Sequence, residues 1–379
     1  MGPGKSRRVG GLDTLRALAI VLVIVAHYPK PEGGLFIRLL NFGWIGVDLF
    51  FVLSGYLIGG QLFAAIVRDS DLSVGAFYAR RFLRTLPNYY VILAVYAVLS
   101  WAAAGIGPAP GWKYTIFLQN FGVPPMFTPS WSLCVEEQFY LLFPLIVLLI
   151  SRTRPVWCAG IFPGILILEV AIRSLVWSMS RPDLMPEANA LRTYMGSLYF
   201  PTYCRLDGLT LGIGIAALKW FHPTLWQRLR MHGSLWLCGG GVFLGASVWA
   251  LWKRYSWTCS VLGFTFISIS FAFLTISVLS NHSLLGRWKI PGAGSISLLS
   301  YSLYLTHSLA LTVSEWLNGY LAWSMISAPG LLISMAAMAC FSVLLYLLVE
   351  KPFLALRDRL YRAETRPTVK ETLYLVSKA

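Results

Sequence analysis

Apolar runs of close to twenty residues alternate along this chain with short segments where Arg, Lys, Pro and Gly gather. A hydrocarbon core about 30 Å thick needs about 20 mainly apolar residues per crossing helix. The pattern predicts an all-α, polytopic integral membrane protein of about ten transmembrane helices. They fall near residues 12–28, 43–66, 86–104, 131–150, 157–177, 204–220, 235–252, 259–280, 298–317 and 328–349. No stretch between them is long and polar enough for a separate soluble domain. The expected organisation is one membrane domain over 1–355 and a basic tail over 356–379, lying on the membrane surface or without fixed structure.

Composition strengthens this reading. Apolar residues make up 57% of the chain and charged ones 12%, against about 25% charged in soluble domains. A net charge of +15 would suggest nucleic acid in a soluble protein. Here the cations sit in short blocks between apolar runs, as cytoplasmic loops facing anionic lipid do. No basic groove with interleaved aromatics is visible, so nucleic-acid binding is not expected. Six cysteines without a C-x-x-C pair, and five histidines without a close pair, suggest neither a disulfide framework nor a metal site. Lys5, Arg7 and Arg8 before an apolar run resemble a signal peptide, but that run contains Arg16 and a second apolar run soon follows. A retained first helix is expected.

Loop charge orients the helices. An even number places both termini on one side, together with 21 Lys and Arg, whereas the opposite loops hold seven. The positive-inside rule then puts the termini in the cytoplasm. The longer outer loops, near 105–130 and 178–203, are expected to form a lid or binding surface.

Ionisable groups inside membrane helices are costly and mark function by default. The first helix carries Arg16 and His27, eleven positions apart, so they share a face about 16 Å apart. Arg16 falls toward the inner leaflet and His27 toward the outer end. Asp48 lies in the outer half of the second helix, while Ser54 and Gly55 read as packing positions. Arg80, Arg81 and Arg84 form a cytoplasmic basic cluster, and arginine forks suit phosphate. Glu136 and Glu137 open the fourth helix near its outer end, and Arg205 and Asp207 enter the sixth at the same depth. Consecutive helical positions diverge by about 100°, so at most one of the two glutamates faces a given site. Tyr304 and His307 are three positions apart and could line one cavity, with structural hydrogen bonding ahead of catalysis for His307. Glu350 and Lys351 read as a salt link or cap at the last helix. Each residue also has a plain reading, as a snorkelling side chain, a helix pair or ordinary loop charge. The set gains force because four separate segments converge on the outer face.

Six blocks in order resemble the acyltransferase 3 family of membrane acyltransferases, which includes glycan O-acetylases. They are Leu12-Asp13-Thr14-Leu15-Arg16 leading to His27, Gly46-Val47-Asp48-Leu49-Phe50-Phe51, Tyr78-Ala79-Arg80-Arg81-Phe82-Leu83-Arg84, Trp131 to Tyr140, Ser300 to His307, and Val349-Glu350-Lys351-Pro352-Phe353. The resemblance implies transfer of an acyl group, often acetyl, from acyl-CoA to a hydroxyl of a glycan, lipid-linked sugar or small metabolite. It implies His27 as the essential histidine, acyl-CoA as co-substrate with no tightly bound cofactor, and a bacterial inner membrane as the location. Some family members carry a further soluble hydrolase-like domain, which is not expected here.

The expected mechanism docks the CoA phosphates at Arg80, Arg81 and Arg84, with Arg16 holding a phosphate or an internal carboxylate. His27 serves as general base on the acceptor hydroxyl or as nucleophile, and one of Asp48, Glu136 or Glu137 orients it or holds the acceptor. Arg205, Asp207, Tyr304 and His307 are candidate acceptor contacts. A transporter or flippase of a small solute or lipid-linked sugar is the rival reading, since buried charges also suit a solute path. A non-catalytic scaffold would leave the acid–base cluster without a reason.

Overall fold

The computed structural model describes residues 10–31, 33–68, 73–104, 111–151, 158–253, 255–287 and 290–361. Lys5, Arg7, Arg8, Arg152, Arg154, Arg254 and Lys289, which enter the charge count above, lie outside these residues, as does 362–379 of the expected tail. Helices form α1 (Gly10–His27), α2 (Leu35–Asn41), α3 (Gly46–Val67), α4 (Val74–Ala104), α5 (Trp112–Thr115), α6 (Trp131–Ser151), α7 (Cys158–Ser180) and α8 (Glu187–Tyr194). They continue as α9 (Asp207–Phe221), α10 (Pro223–Met231), α11 (Gly233–Leu251), α12 (Gly263–Val278), α13 (Leu284–Arg287), α14 (Ala293–Tyr320), α15 (Ala328–Leu345) and α16 (Lys351–Leu360). No strand occurs among the described residues.

Nine helical stretches among the described residues are long and apolar enough to cross a membrane. The tenth expected segment is α9, whose 15 residues span only about 22 Å. It is nonetheless central, because α9 lies directly against α3. Gly55 and Gly59 of α3 lie against α9, and Gly208 and Gly212 of α9 lie against α3, a small-xxx-small pattern on both helices in which Gly212 meets Gly55 directly. A Cβ at Gly55 would stand 2.2 Å from the Leu209 carbonyl oxygen, and one at Gly212 2.2 Å from that of Val52. Backbone contact this close admits only glycine. Gly55 is thus the packing position expected, whereas Ser54 donates a hydrogen bond to Glu136 Oε1 at 2.6 Å.

Two apolar cores follow. One joins α1, α3, α9 and α12 through Leu15, Leu49, Leu53, Ile213 and Ile267. The other gathers aromatics of α4, α6, α12 and the segment before α9, among them Tyr89, Trp131, Tyr199 and Phe264. Outward-facing positions such as Leu149, Ile167, Val242 and Leu332 are exposed and apolar, as a lipid-facing surface requires.

Two boundaries differ from expectation for physical reasons. Helix α4 begins at Val74, twelve residues before the apolar run that predicted it. Three arginines lower local hydropathy without opposing helix, since Arg is a good helix former. The Arg80–Arg84 block is therefore helical, with Pro87 inside the same helix. At the other end, α15 passes through one π turn (Tyr346–Glu350) straight into α16. A division between domain and tail at 355 falls inside that helix.

Candidate active site

His27 ends α1, where the last carbonyls of a helix lack intrahelical partners. Its Nδ1 lies 2.8 Å from the Val23 carbonyl oxygen. A carbonyl only accepts, so Nδ1 carries a proton, and in the neutral ring Nε2 keeps its lone pair. The ring meets His307 edge-on, with centroids 4.9 Å apart. His307, fully buried on α14, repeats the arrangement: Nδ1 donates to the Tyr304 carbonyl at 2.6 Å, and Ser308 Oγ lies 3.3 Å from Nε2.

His27 opens onto a cavity of about 1040 Å³. Its walls are rich in aromatic rings, including Trp44, Tyr96, Trp131, Tyr199 and Tyr304, with Ser308 and Thr312 among the polar positions. Phe127 turns the chain through a left-handed conformation (φ 46°) into the turn before α6, where Thr128 and Pro129 join the lining. The Tyr304 hydroxyl sits 2.6 Å from Ser132 Oγ and donates to the Pro129 carbonyl at 2.9 Å, which fixes that wall. Burial raises the Tyr194 and Tyr199 phenols well above their ordinary range, so both remain neutral donors beside the cavity.

Arg16 lies three turns below His27 on α1. It shares electrostatic contact with Asp13, Arg81, Tyr140 and Glu136. Arg84 has Arg81, Arg16 and Glu350 as neighbours. The guanidinium of Arg81 stacks 3.7 Å from the centre of the Tyr140 ring. All three arginines are half-buried. Among the described residues no ion pair joins any of them to a carboxylate. Arg80 does not join this group; a helical turn directs it to the Tyr361 ring, 5.5 Å away. Glu350 is buried at the edge of the cluster and accepts hydrogen bonds from Ser302 (2.6 Å) and Asn88 (3.2 Å). No hydrogen bond or ion pair between Glu350 and Lys351 occurs among the described residues.

The acid–base set expected at one end of the membrane is thus divided. Asp48 pairs with Arg205 at 2.8 Å, both fully buried. Arg205 is boxed by the rings of Phe264, Tyr199 and Trp131, 4.0, 4.7 and 5.2 Å from its carbon. Asp207 pairs with Arg173 through both carboxylate oxygens and accepts from Thr265 Oγ1. Neither Arg205 nor Asp207 lines the cavity; both sit behind its aromatic wall. Glu136 and Glu137 lie beside Arg81 rather than His27. The early start of α4 explains this, because Arg81 stands seven residues into the helix, about 10 Å from its beginning. Among the described residues no carboxylate reaches the His27 ring, whose orientation comes from Val23.

Arg173 and Glu169 escaped the sequence reading. Arg173 is wholly buried, and Glu169 Oε1 accepts the backbone N–H of Leu206 at 2.7 Å. Their spacing, i and i+4 within an apolar helix, was the available signal.

Comparison with known proteins agrees with the motifs. A family model described as an acyltransferase domain matches residues 9–347, and the chain belongs to this family, acyltransferase 3. The O-acetyltransferase OatA of Staphylococcus aureus strain NCTC 8325 / PS 47 is 29% identical over 371 residues, which cover 91% of this chain and 57% of that protein. A protein of Staphylococcus aureus strain COL, named provisionally as an O-acetyltransferase, is 27% identical over 383 residues, covering 92% of this chain and 58% of its own. The chain therefore spans less than three fifths of the length of these curated relatives. No solved structure matches it.

Proposed function

We propose that this acyltransferase 3 chain is a membrane O-acyltransferase. It takes an acyl group, acetyl on family grounds, from acyl-CoA on the cytoplasmic side and transfers it to an acceptor hydroxyl in the cavity at His27. The acceptor belongs to the glycans, lipid-linked sugars or small hydroxylated metabolites. Its place is a bacterial inner membrane, with both termini cytoplasmic.

One observation carries this reading. His27 lines the cavity with Nδ1 held by the Val23 carbonyl, which leaves Nε2 of the neutral ring to accept a proton, while Arg16 of the same helix joins Arg81 and Arg84 in a cationic set without paired carboxylates. Phosphates favour such guanidinium forks. From there the pantetheine arm runs along α1 toward His27, a rise of about 16 Å. At the cavity, Nε2 takes the proton of the acceptor hydroxyl. The hydroxyl oxygen attacks the thioester carbonyl, the C–S bond breaks, and CoA leaves as thiolate before it is protonated. The Val23 carbonyl, accepting from Nδ1, steadies the imidazolium during transfer. Attack by Nε2 itself, forming an acyl-imidazole, uses the same geometry.

The test supplies radiolabelled acetyl-CoA to membranes containing wild-type or His27→Ala protein. Label in glycans, lipids or metabolites with wild type alone supports the reading and reveals the acceptor class. Equal labelling with His27→Ala overturns the role of His27. Failure to label or bind acyl-CoA, with transport of a solute instead, turns the assignment to the transporter.

A further inference from the structure

We infer that the acceptor is anionic: a saccharide bearing a carboxylate or phosphate, held between the aromatic wall and two cations, Arg38 and Lys253, at the cavity mouth. This rests on the reading of the cavity as the acceptor site.

The charges carry the inference. Among the described residues lining the cavity, Arg38 and Lys253 are cationic and none is Asp or Glu. Both are exposed. On the proposed topology they lie on the outer face, where the positive-inside rule thins Lys and Arg. Their neighbours there have other work. Lys30 donates to the carbonyls of Val25, Ala26 and Tyr28 and so closes the end of α1. Arg181 holds Asp183 through two hydrogen bonds. That engagement also occupies Asp183, a carboxylate within electrostatic reach of Lys253. Arg38 and Lys253 thus face the cavity without an ion pair among the described residues.

The geometry adds a platform. The Arg38 guanidinium lies 5.8 Å from the centre of the Trp252 ring, a stack that restrains the fork and leaves its edge N–H groups open. Arg38 stands on α2, whose Leu35, Phe36 and Leu39 are exposed as in an interfacial helix. Lys253 directly follows Trp252 beyond α11, so two elements bring charge to one rim. The negative face of an aromatic ring attracts polarised C–H groups, which line one face of a pyranose. Sites for drug-sized ligands measure about 300–1,000 Å³. At about 1040 Å³ this cavity suits more than one sugar ring.

The test measures binding of tetragalacturonate and of its neutral methyl ester to purified full-length protein, by tryptophan fluorescence. Trp44, Trp131 and Trp252 all line the cavity. The anionic probe is expected to bind about tenfold more tightly at low salt, as two exposed charge pairs allow. Salt should erase that preference in the wild type, without any variant. Arg38→Gln with Lys253→Gln should also erase it, leaving affinity for the methyl ester and for acetyl-CoA unchanged. Equal affinity for both probes, or no binding of the anionic one, overturns the inference. So does a preference that survives the double substitution, or a loss of acetyl-CoA affinity instead. The experiment needs no transfer, so it stands apart from the labelling test. A charge preference without any acyl transfer would keep the anion site and remove only its assignment to an acceptor.

Discussion

Two groups of buried charge stand within this membrane domain, and they are built in opposite ways. Behind the aromatic wall, Asp48 with Arg205 and Asp207 with Arg173 form matched ion pairs. Arg173 further donates to the Val261 and Cys204 carbonyls and to Thr265. Around Arg16, Arg81 and Arg84 the carboxylates of Asp13, Glu136, Glu137 and Glu350 lie within electrostatic reach, but none closes an ion pair among the described residues, and the arginine side chains are half-buried. Direct pairing offsets part of the cost of desolvation locally, most completely at Arg173 and less so at Arg205, whose Nε and Nη1 have no hydrogen-bond partner among the described residues. An open cationic set leaves that balance to an anion from outside. The same residue type therefore reads as framework in one place and as binding site in the other.

This contrast predicts different failures. The largest effect is expected at His27: His27→Ala should lower the transfer rate about 10²–10⁴-fold, the range of general-base contributions, with thermal stability unchanged. Rates of labelled acetyl transfer and a melting curve check this together. Next come the matched pairs. Asp207→Ala or Arg205→Ala leaves a buried partner charge uncompensated and should cost about 3–5 kcal/mol of stability. The signs would be a lower Tm and a lower yield of folded protein, with no selective change in KM. Arg81→Gln or Arg84→Gln should instead spare the Tm and weaken acetyl-CoA binding by about 10- to 100-fold each, since a hydrogen bond to a charged group contributes about 1.5–3 kcal/mol. Loss of folding in these variants would place them with the framework. Arg16→Lys keeps the charge and loses the fork, so a smaller rise in acetyl-CoA Kd, about threefold to tenfold, is expected. Unchanged affinity would remove a bidentate phosphate contact from Arg16.

Much of the architecture was legible because bilayer thickness imposes a period on the sequence. Arg16 and His27 could be placed on one face from helical geometry alone. The glycine pattern at Gly55 signalled packing, and α9 bears this out from the opposite side. Depth was less legible. Three arginines disguised the first three turns of α4, and that shift carried Arg81 up to Glu136 and Glu137. Partner choice was least legible. Nothing local in the sequence says that Asp48 takes Arg205, or that Val23 rather than a carboxylate holds His27. Those outcomes depend on how α1, α3, α6 and α9 cross. Glu169 and Arg173 were visible as charges in an apolar helix, yet their meaning required Asp207 from two segments away.

The most direct test compares wild type, His27→Ala and the Arg81→Gln, Arg84→Gln double variant as purified proteins. Each is measured for equilibrium binding of acetyl-CoA and for transfer of labelled acetyl to the acceptor fraction found with wild type. The account predicts that His27→Ala binds acetyl-CoA as wild type does and transfers almost nothing, whereas the double arginine variant is folded and has lost binding. Wild-type transfer by His27→Ala, or undiminished acetyl-CoA binding by the double variant, would contradict it.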